Sequence, residues 1–290
     1  MRPPARLREL LAEDTCHTMP CCFDALSARL IEQEGYSLTF MSGFAASAAR
    51  IGEPDLGLMS YGEVADQVRN ICEGLGVPLI ADGDTGYGNA MNVRRTVRGL
   101  ARAGAACVMI EDQVAPKRCG HTPGKAVVDR AEAFDRIRAA CDERDALRET
   151  GHDVLVLART DARHEHGLSE AIARAERFAA LGADILFVEA PRTRNELAEV
   201  GRALDRPLMA NIVEGGETPD LPAAELHALG FRIAAYPLTL MASAMRAMVD
   251  TLRGMRDGRR DGLMGFAELR ERVGFEDYYE RSSLYETSKR

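Results

Sequence analysis

Cys107-Val108-Met109-Ile110-Glu111-Asp112 is an apolar run that ends in two acids, and this pattern decides the fold. Short apolar runs of the same kind recur along the chain, and a pattern typical of an amphipathic helix follows each of them. We therefore predict eight strands, at residues 18–22, 38–42, 78–82, 107–112, 154–160, 185–190, 208–212 and 233–237.

The segments between the strands have helical periodicity. In residues 61–75 and 168–181, apolar residues recur every three or four positions and share one face. Strands that alternate with helices predict a parallel sheet, and eight such repeats predict an α/β fold of the (β/α)8 TIM barrel type. The chain of 290 residues is long enough, since such barrels take about 250 residues. A doubly wound open sheet is the alternative, although no glycine-rich dinucleotide or phosphate fingerprint opens a helix.

Reactive side chains stand where the predicted strands end. Almost every strand is apolar until its C-terminal end and is then followed by polar residues: Ser42, Asp82, Asp84, Glu111, Asp112, Arg159, Asp161, Glu189, Asn211 and Tyr236. In a barrel these ends share one face, and the catalytic residues of barrel enzymes lie there. The distribution therefore favours the barrel and predicts an active site at its C-terminal face.

Composition limits the class of protein. The net charge of -8 is spread along the chain, which disfavours nucleic acid as a partner. No run approaches the roughly 20 apolar residues of a membrane helix, and the N-terminus lacks the apolar core of a signal peptide. Seven cysteines without paired spacing indicate reduced thiols and a cytoplasmic location. We expect a single barrel domain over residues 1–290, with an N-terminal helical segment and a helical extension from about residue 250.

The stretch Lys117-Arg118-Cys119-Gly120-His121 carries a thiol among potential cations. Lysine, arginine and protonated histidine each lower the pKa of a neighbouring thiol, so Cys119 is a candidate acid/base or nucleophile. The loop from about residue 113 to residue 128 is long for a strand-to-helix connection, which is typical of an active-site lid. The alternative is an incidental free thiol on a basic loop.

Carboxylates recur in Asp82-Gly83-Asp84-Thr85-Gly86-Tyr87-Gly88-Asn89. Residues two apart on a strand point to one side, so Asp82 and Asp84 face the same way. Together with Glu111 they offer three carboxylates, which favours Mg²⁺ or Mn²⁺ over zinc. The alternative is a solvated turn with a capping aspartate. His164-Glu165-His166 could also bind a metal, but a solvated turn before a helix is the favoured interpretation.

The combination of motifs resembles the isocitrate lyase and phosphoenolpyruvate mutase superfamily, especially its small 2-methylisocitrate and 2,3-dimethylmalate lyases. The matching motifs lie between about residues 23 and 238: Ser42-Gly43, Pro54-Asp55-Leu56-Gly57, the Asp82–Asn89 stretch, Glu111-Asp112-Gln113, the 117–121 loop, Ala158–Ala162, Glu189-Ala190 and Ala210–Glu214. The resemblance implies a (β/α)8 barrel with a C-terminal helix exchanged between subunits. It also implies a homotetramer built as a dimer of dimers, and Mg²⁺-dependent chemistry.

The resemblance also implies roles for individual residues. Ser42, Gly43 and Arg159 would bind the carboxylate of a 2-oxo acid, while Lys117, Cys119 and His121 would act from the lid. The metal and its waters would be held by Asp55, Asp82, Asp84 and Glu111. The rest of the substrate would be lined by Glu189, Asn211, Glu214 and the turn Tyr236-Pro237-Leu238-Thr239.

The chain departs from its relatives at three positions. Phe44 stands where methylisocitrate lyases are rich in glycine, and Thr239 stands where serine is commoner. Gly83 replaces the family's usual alanine, and we expect this exchange to matter little.

The preferred function is metal-dependent retro-aldol cleavage of a 2-hydroxy di- or tricarboxylate. The products would be a 2-oxo acid such as pyruvate and a second carboxylate such as succinate, with Cys119 as the proton donor. Within the superfamily, a carboxyphosphonoenolpyruvate phosphonomutase and an oxaloacetate hydrolase or decarboxylase remain as alternatives. A non-catalytic metabolite-binding barrel is the alternative from another class.

Overall fold

The computed structural model describes residues 2–117, 124 and 126–285. All eight predicted strands are present within one residue or two of the expected bounds: β1 (His17–Cys22), β2 (Thr39–Met41), β3 (Leu79–Asp82), β4 (Cys107–Glu111), β5 (Leu155–Thr160), β6 (Ile185–Val188), β7 (Leu208–Asn211) and β8 (Phe231–Tyr236). They pair in chain order, all in parallel, and β8 returns to β1. The (β/α)8 barrel is confirmed, and the open sheet is excluded.

Helices follow the strands around the barrel. Their bounds are α1 (Pro3–Ala12), α2 (Ala25–Gln33), α3 (Gly43–Ile51), α4 (Tyr61–Cys72), α5 (Ala90–Arg102), α6 (Arg130–Glu149), α7 (Arg163–His166), α8 (Leu168–Ala180), α9 (Arg194–Ala203), α10 (Ala223–Ala228), α11 (Thr239–Arg256), α12 (Phe266–Val273) and α13 (Phe275–Ser283). The local sequence sets their starts: Ser60 and Glu63 form a capping box at α4, and Asn89 caps α5. The predicted helices at 61–75 and 168–181 are confirmed, each slightly shorter than expected.

The barrel interior is filled by apolar side chains and is closed at its N-terminal end. Met19, Ile80 and Met109 are fully buried inside it, and Leu7 and Leu10 of α1 belong to the same cluster. A second and larger cluster lies between the strands and the surrounding helices. Because α1 plugs one end of the barrel, the C-terminal ends of the strands form its open face.

The chain divides into two compact units, residues 1–241 and 242–290. The second unit, as far as it is described, contains the rest of α11 with α12 and α13. Phe275 and Tyr279 meet edge to face in it with ring centres 6.1 Å apart. Large apolar side chains of this unit, including Phe266, Tyr278 and Leu284, are exposed. None of the described helices combines the length and the apolar character that crossing a membrane requires.

Candidate active site

One cavity at the open face collects most of the residues that the sequence singled out. It is lined by Ser42, Gly43, Phe44, Asp55, Asp82, Glu111, Lys117, Arg159, Glu189 and Asn211. These residues come from the ends of six consecutive strands, β2 to β7, and from the segments that connect each strand to the next, including the start of α3. The predicted convergence of polar strand ends is therefore what the structure shows.

The remaining predicted residues lie elsewhere. Asp84 does not line the cavity but contacts Lys117, with 2.6 Å between Oδ1 and Nζ. Glu214 and Thr239 are hydrogen-bonded to each other and do not line this cavity. Cys119 and His121 lie outside the described residues.

The Lys117 ammonium occupies the centre of the acidic group. It is 6% exposed, and its Nζ lies 2.9 Å from Asp55 Oδ2 and 3.7 Å from Asp82 Oδ2, in addition to the contact with Asp84. Burial by itself would lower the pKa of Lys117, but Asp82, Asp84, Asp55 and Glu111 outweigh it and hold that pKa well above its usual value. Lys117 is therefore a permanent cation in this structure.

Among the described residues of this group, the acids outnumber the cations that balance them. Burial raises the pKa of Asp84 to about 6, in spite of the neighbouring Lys117. Burial also raises the pKa of Glu111 well above its usual value, although Arg159 and Lys117 oppose the shift. The Glu111 Oε1 atom is buried and has no hydrogen-bond partner among the described residues. The group thus has unbalanced negative charge and an unsatisfied oxygen, which a further cation would compensate.

The donor set fits a hard divalent cation in its chemistry. Asp55, Asp82, Asp84 and Glu111 offer oxygen atoms only, which suits Mg²⁺ or Mn²⁺. In the described part of the chain, however, no three acidic, histidine or cysteine side chains form a ready metal cage. Lys117 lies among the same oxygens, so these carboxylates are arranged here around an ammonium.

We expect neutralising Asp84 to stabilise the metal-free protein. The pKa of Asp84 is about 6 when folded, whereas an unfolded aspartate titrates near 3.9, so the folded state holds its proton more tightly. Stability is therefore lost as the pH rises from about 4 to about 6, and at pH 7 the ionised group costs roughly 2–3 kcal/mol. In urea unfolding with EDTA, Asp84→Asn should gain about that much at pH 7 and almost nothing near pH 4. A loss of stability at pH 7 would contradict the charge imbalance.

The N-terminus of α3 forms another wall of the cavity. Ser42 caps the helix, with its Oγ accepting from Ala45 N at 3.3 Å. A side chain at Gly43 would collide with the Asp82 carboxylate, so glycine is required by this close approach. The first amides of a helix have no acceptor within the helix and carry positive partial charge. Gly43 and Phe44 line the cavity, so the positive end of α3 faces it.

Arg159 is the second fixed cation of the cavity. Its Nε and Nη2 donate to the two oxygens of Asp161 at 2.7 and 2.9 Å. Nη2 also lies 3.1 Å from Glu189 Oε2, and Nε lies 3.4 Å from Glu111 Oε2. Burial opposes its charge, but Asp161, Glu189 and Glu111 hold the pKa of Arg159 well above its usual value. The neighbouring Asn211 Nδ2 lies 3.3 Å from Glu189 Oε2, which extends the network across β7.

Sequence reasoning missed most of an apolar wall and three unusual backbone positions. The wall consists of Cys21, Phe40, Phe187, Met209, Val213, Ala235, Pro237 and Leu238. Asp84, Tyr87 and Ala190 have positive φ angles of 49°, 61° and 57°. Such angles are costly for residues other than glycine and concentrate at functional sites. The family resemblance places Pro237 and Leu238 beside the substrate, but the apolar pattern of Phe40, Phe187 and Met209 indicates only strand interiors, and the sequence offers no signal for the backbone angles.

Two minor predictions can now be placed. His164, Glu165 and His166 form one turn, α7, away from the cavity, and His166 Nε2 is 4.0 Å from Glu165 Oε2. At Gly83, a Cβ would lie 2.6 Å from the Met109 carbonyl oxygen, so an alanine there would require the backbone to shift. Glycine lets β3 end this close to β4.

Comparison with known proteins extends this description. Residues 7–256 match the family described as phosphoenolpyruvate phosphomutase. The chain is 38% identical to 2,3-dimethylmalate lyase from Eubacterium barkeri, and the alignment covers all of both proteins. It is 40% identical to the chloroplastic carboxyvinyl-carboxyphosphonate phosphorylmutase of Arabidopsis thaliana, over 98% of this chain and 85% of that protein.

Solved structures of similar enzymes also match the chain over nearly its whole length. Oxaloacetate acetylhydrolase in complex with 3,3-difluorooxalacetate matches with a TM-score of 0.93 and 35% identity, covering 99% of this chain and all of that one. Phosphonopyruvate hydrolase in complex with oxalate and Mg²⁺ matches with a TM-score of 0.86 and 28% identity, covering 98% of this chain and 99% of that one. The chain belongs to the phosphoenolpyruvate phosphomutase family and is an enzyme of the isocitrate lyase and phosphoenolpyruvate mutase superfamily.

Proposed function

We propose that the protein is a carbon–carbon lyase that cleaves a 2-hydroxy di- or tricarboxylate of the 2-methylisocitrate or 2,3-dimethylmalate type. The products are a 2-oxo acid such as pyruvate and a second carboxylate such as succinate. The observation that carries the proposal is the cavity itself. A carboxylate-binding helix terminus at Gly43, the cation Arg159 and an acid group with excess charge at Asp82 and Glu111 face one another in it.

In this proposal the chain's own residues bind and orient the substrate. The amides that open α3 and the guanidinium of Arg159 hold the carboxylate of the oxo-acid half. Asp55, Asp82, Asp84 and Glu111 would hold Mg²⁺ or Mn²⁺, which would supply Lewis-acid polarisation at the 2-hydroxyl group. The apolar wall that includes Phe187 and Met209 excludes water from the breaking bond.

Cys119 is our candidate for the proton donor to the carbanion left on the second fragment. Its sequence neighbours are cationic, which makes its proton available at neutral pH. Burial raises the pKa of each of the six cysteines among the described residues, so none of them is a ready acid. Lys117, two positions earlier, lies in the cavity, which supports an approach of this segment to the substrate.

Two other reactions have support in the comparisons. The high similarity to an oxaloacetate acetylhydrolase structure favours hydrolysis of oxaloacetate as the second candidate. A phosphorylmutase relative keeps phosphonate chemistry as a third. Loss of each substrate and the identity of its products should be followed by NMR with Mg²⁺ over a panel of 2-alkylmalates, 2-methylisocitrate, isocitrate, oxaloacetate and phosphonopyruvate. The lyase assignment fails if only oxaloacetate or the phosphonate is consumed.

Phe44 is expected to restrict substrate size. It lines the cavity beside the carboxylate-binding amides, where a bulky substituent on the oxo-acid half would meet it. Phe44→Ala should raise kcat/KM for the bulkier substrates by about tenfold relative to the smallest malate, since one or two methylene groups in a pocket are worth about 1–3 kcal/mol. The smallest malate serves as the internal control. An unchanged ratio would show that the ring does not set specificity.

The assembly is also part of the proposal. We propose a cytoplasmic homotetramer, a dimer of dimers with an exchanged C-terminal helix, that acts on a small carboxylate and engages neither nucleic acid nor membrane. An apolar groove on the barrel supports the exchange, lined by Leu30, Ile31, Tyr36, Tyr236 and Leu240. Light scattering that found a monomer at micromolar concentration would contradict this arrangement.

A further inference from the structure

Arg174 lies behind the candidate active site and touches no part of the cavity. It belongs to α8 and is 3% exposed. Its Nη1 donates to Asp112 Oδ2 and to the Val128 carbonyl oxygen, both at 3.0 Å. Its Nε donates to Glu170 Oε1 at 2.8 Å. One buried guanidinium thus joins Asp112, which follows β4, to Val128, which precedes the N-cap residue of α6.

These two attachment points form the neck of a loop. Gln113 and Val127 make an antiparallel bridge, and Val128 N donates to the Asp112 carbonyl oxygen at 2.9 Å. The segment that carries Lys117 leaves the barrel through this neck. The position of the neck therefore sets where the chain begins its path to the acidic group.

The same aspartate also holds the second cation of the cavity. Asp112 Oδ1 accepts from Asp161 N at 2.9 Å, and Asp112 Oδ2 accepts from Thr160 Oγ1 at 2.7 Å. Asp161 in turn accepts hydrogen bonds from Arg159 at both of its carboxylate oxygens. The pair of Arg174 and Asp112 is therefore connected to both cations of the cavity. It is connected to Lys117 through the neck of the loop and to Arg159 through Asp161.

We propose that Arg174 is a positioning residue for the reaction, which sets Lys117 and Arg159 relative to each other through Asp112 and Val128. The inference rests on the proposed function, in which both cations face the substrate. An arginine suits this task because its planar fork reaches two acceptors at once, whereas a lysine is a single point of charge. A displacement of about 1 Å in such a site can cost about 10²-fold in rate.

The experiment compares Arg174→Met and Arg174→Lys with Arg144→Met as the matched control. Arg144 is also a buried helical arginine, and it also binds a carboxylate and a carbonyl oxygen, but at Asp184 and Gly182 before β6. Arg174→Met should lower kcat/KM by about 10- to 100-fold, as losses of supporting contacts around a site do. Arg174→Lys should recover part of the lost kcat/KM. Arg144→Met should keep the wild-type kcat/KM while losing about as much stability as Arg174→Met.

A second readout needs no substrate. Trypsin cleavage after Lys117, followed by mass spectrometry, reports how often this buried side chain leaves the acids. Cleavage should be about tenfold faster in Arg174→Met than in the wild type and unchanged in Arg144→Met. If no panel compound is turned over by the wild type, the proposed function fails, and the cleavage rates still decide the inference.

Two outcomes would overturn the inference. One is wild-type kcat/KM and cleavage rate in a folded Arg174→Met protein. The other is an equal loss in Arg144→Met, which would reduce the role of Arg174 to general stability. If Arg174→Met does not fold, both measurements are made on Arg174→Lys, which keeps the charge beside buried Asp112. Wild-type kcat/KM and cleavage rate in Arg174→Lys would then refute the inference.

Discussion

A preparation stripped of divalent cations should show no measurable turnover, and Mg²⁺ or Mn²⁺ should restore it. The reason is the charge at the cavity and directly beside it, where burial raises the pKa values of Glu111 and Asp84 although neighbouring cations oppose the shift. A cation that binds these oxygens should also stabilise the folded state, by about 2.7 kcal/mol at a concentration of 100 times its Kd.

Thermal unfolding with and without Mg²⁺ measures this binding independently of activity. Asp82→Asn and Glu111→Gln should lose the shift, whereas Asp66→Asn, an acid on the surface of α4, should keep it. Full activity after treatment with EDTA would contradict the metal assignment. A shift that survives in both cavity variants would place the cation elsewhere.

Lys117→Met is expected to lower kcat by about 10²-fold or more, because a fixed charge that faces the reacting groups is worth this much in comparable sites. It should also destabilise the protein by about 3–5 kcal/mol, since it leaves buried carboxylates without their cation. Lys117 Nζ lies within 4 Å of three of them, on Asp55, Asp82 and Asp84.

The double variant Lys117→Met/Asp84→Asn separates the two effects. Removal of one acid together with the lysine should restore part of the stability in urea unfolding, while kcat stays low. If kcat recovers along with stability, Lys117 contributes to catalysis only through folding. If Lys117→Met alone keeps normal kcat and stability, the description of the acidic group is wrong.

The fold was predictable because its signals are local. Each strand is a short apolar run such as Cys107–Glu111, and the helices show apolar residues every three or four positions. Eight alternating strands and helices then predict a closed barrel. The grouping of Asp82, Glu111 and Arg159 was predictable for the same reason, since parallel strands bring their ends to one face.

The parts that sequence could not supply depend on contacts between distant residues. Lys117 was expected on a lid, and nothing in its neighbours indicated that its ammonium would lie among Asp55, Asp82 and Asp84. Arg174, within the periodic pattern of α8, is an ordinary polar residue until its contact with Asp112 is seen. Tertiary packing determines the positions of such side chains, and no local sequence pattern encodes those positions.

Cleavage in D₂O, followed by NMR with Mg²⁺ present, tests the central claim most directly. With 2,3-dimethylmalate or 2-methylisocitrate as the substrate, we expect equal amounts of a 2-oxo acid and a second carboxylate. The second carboxylate should carry a single deuterium at the carbon that was bonded to the oxo-acid half, because a carbanion is protonated there. Failure to cleave every 2-hydroxy acid, together with turnover of oxaloacetate or phosphonopyruvate, would contradict the assignment as a carbon–carbon lyase.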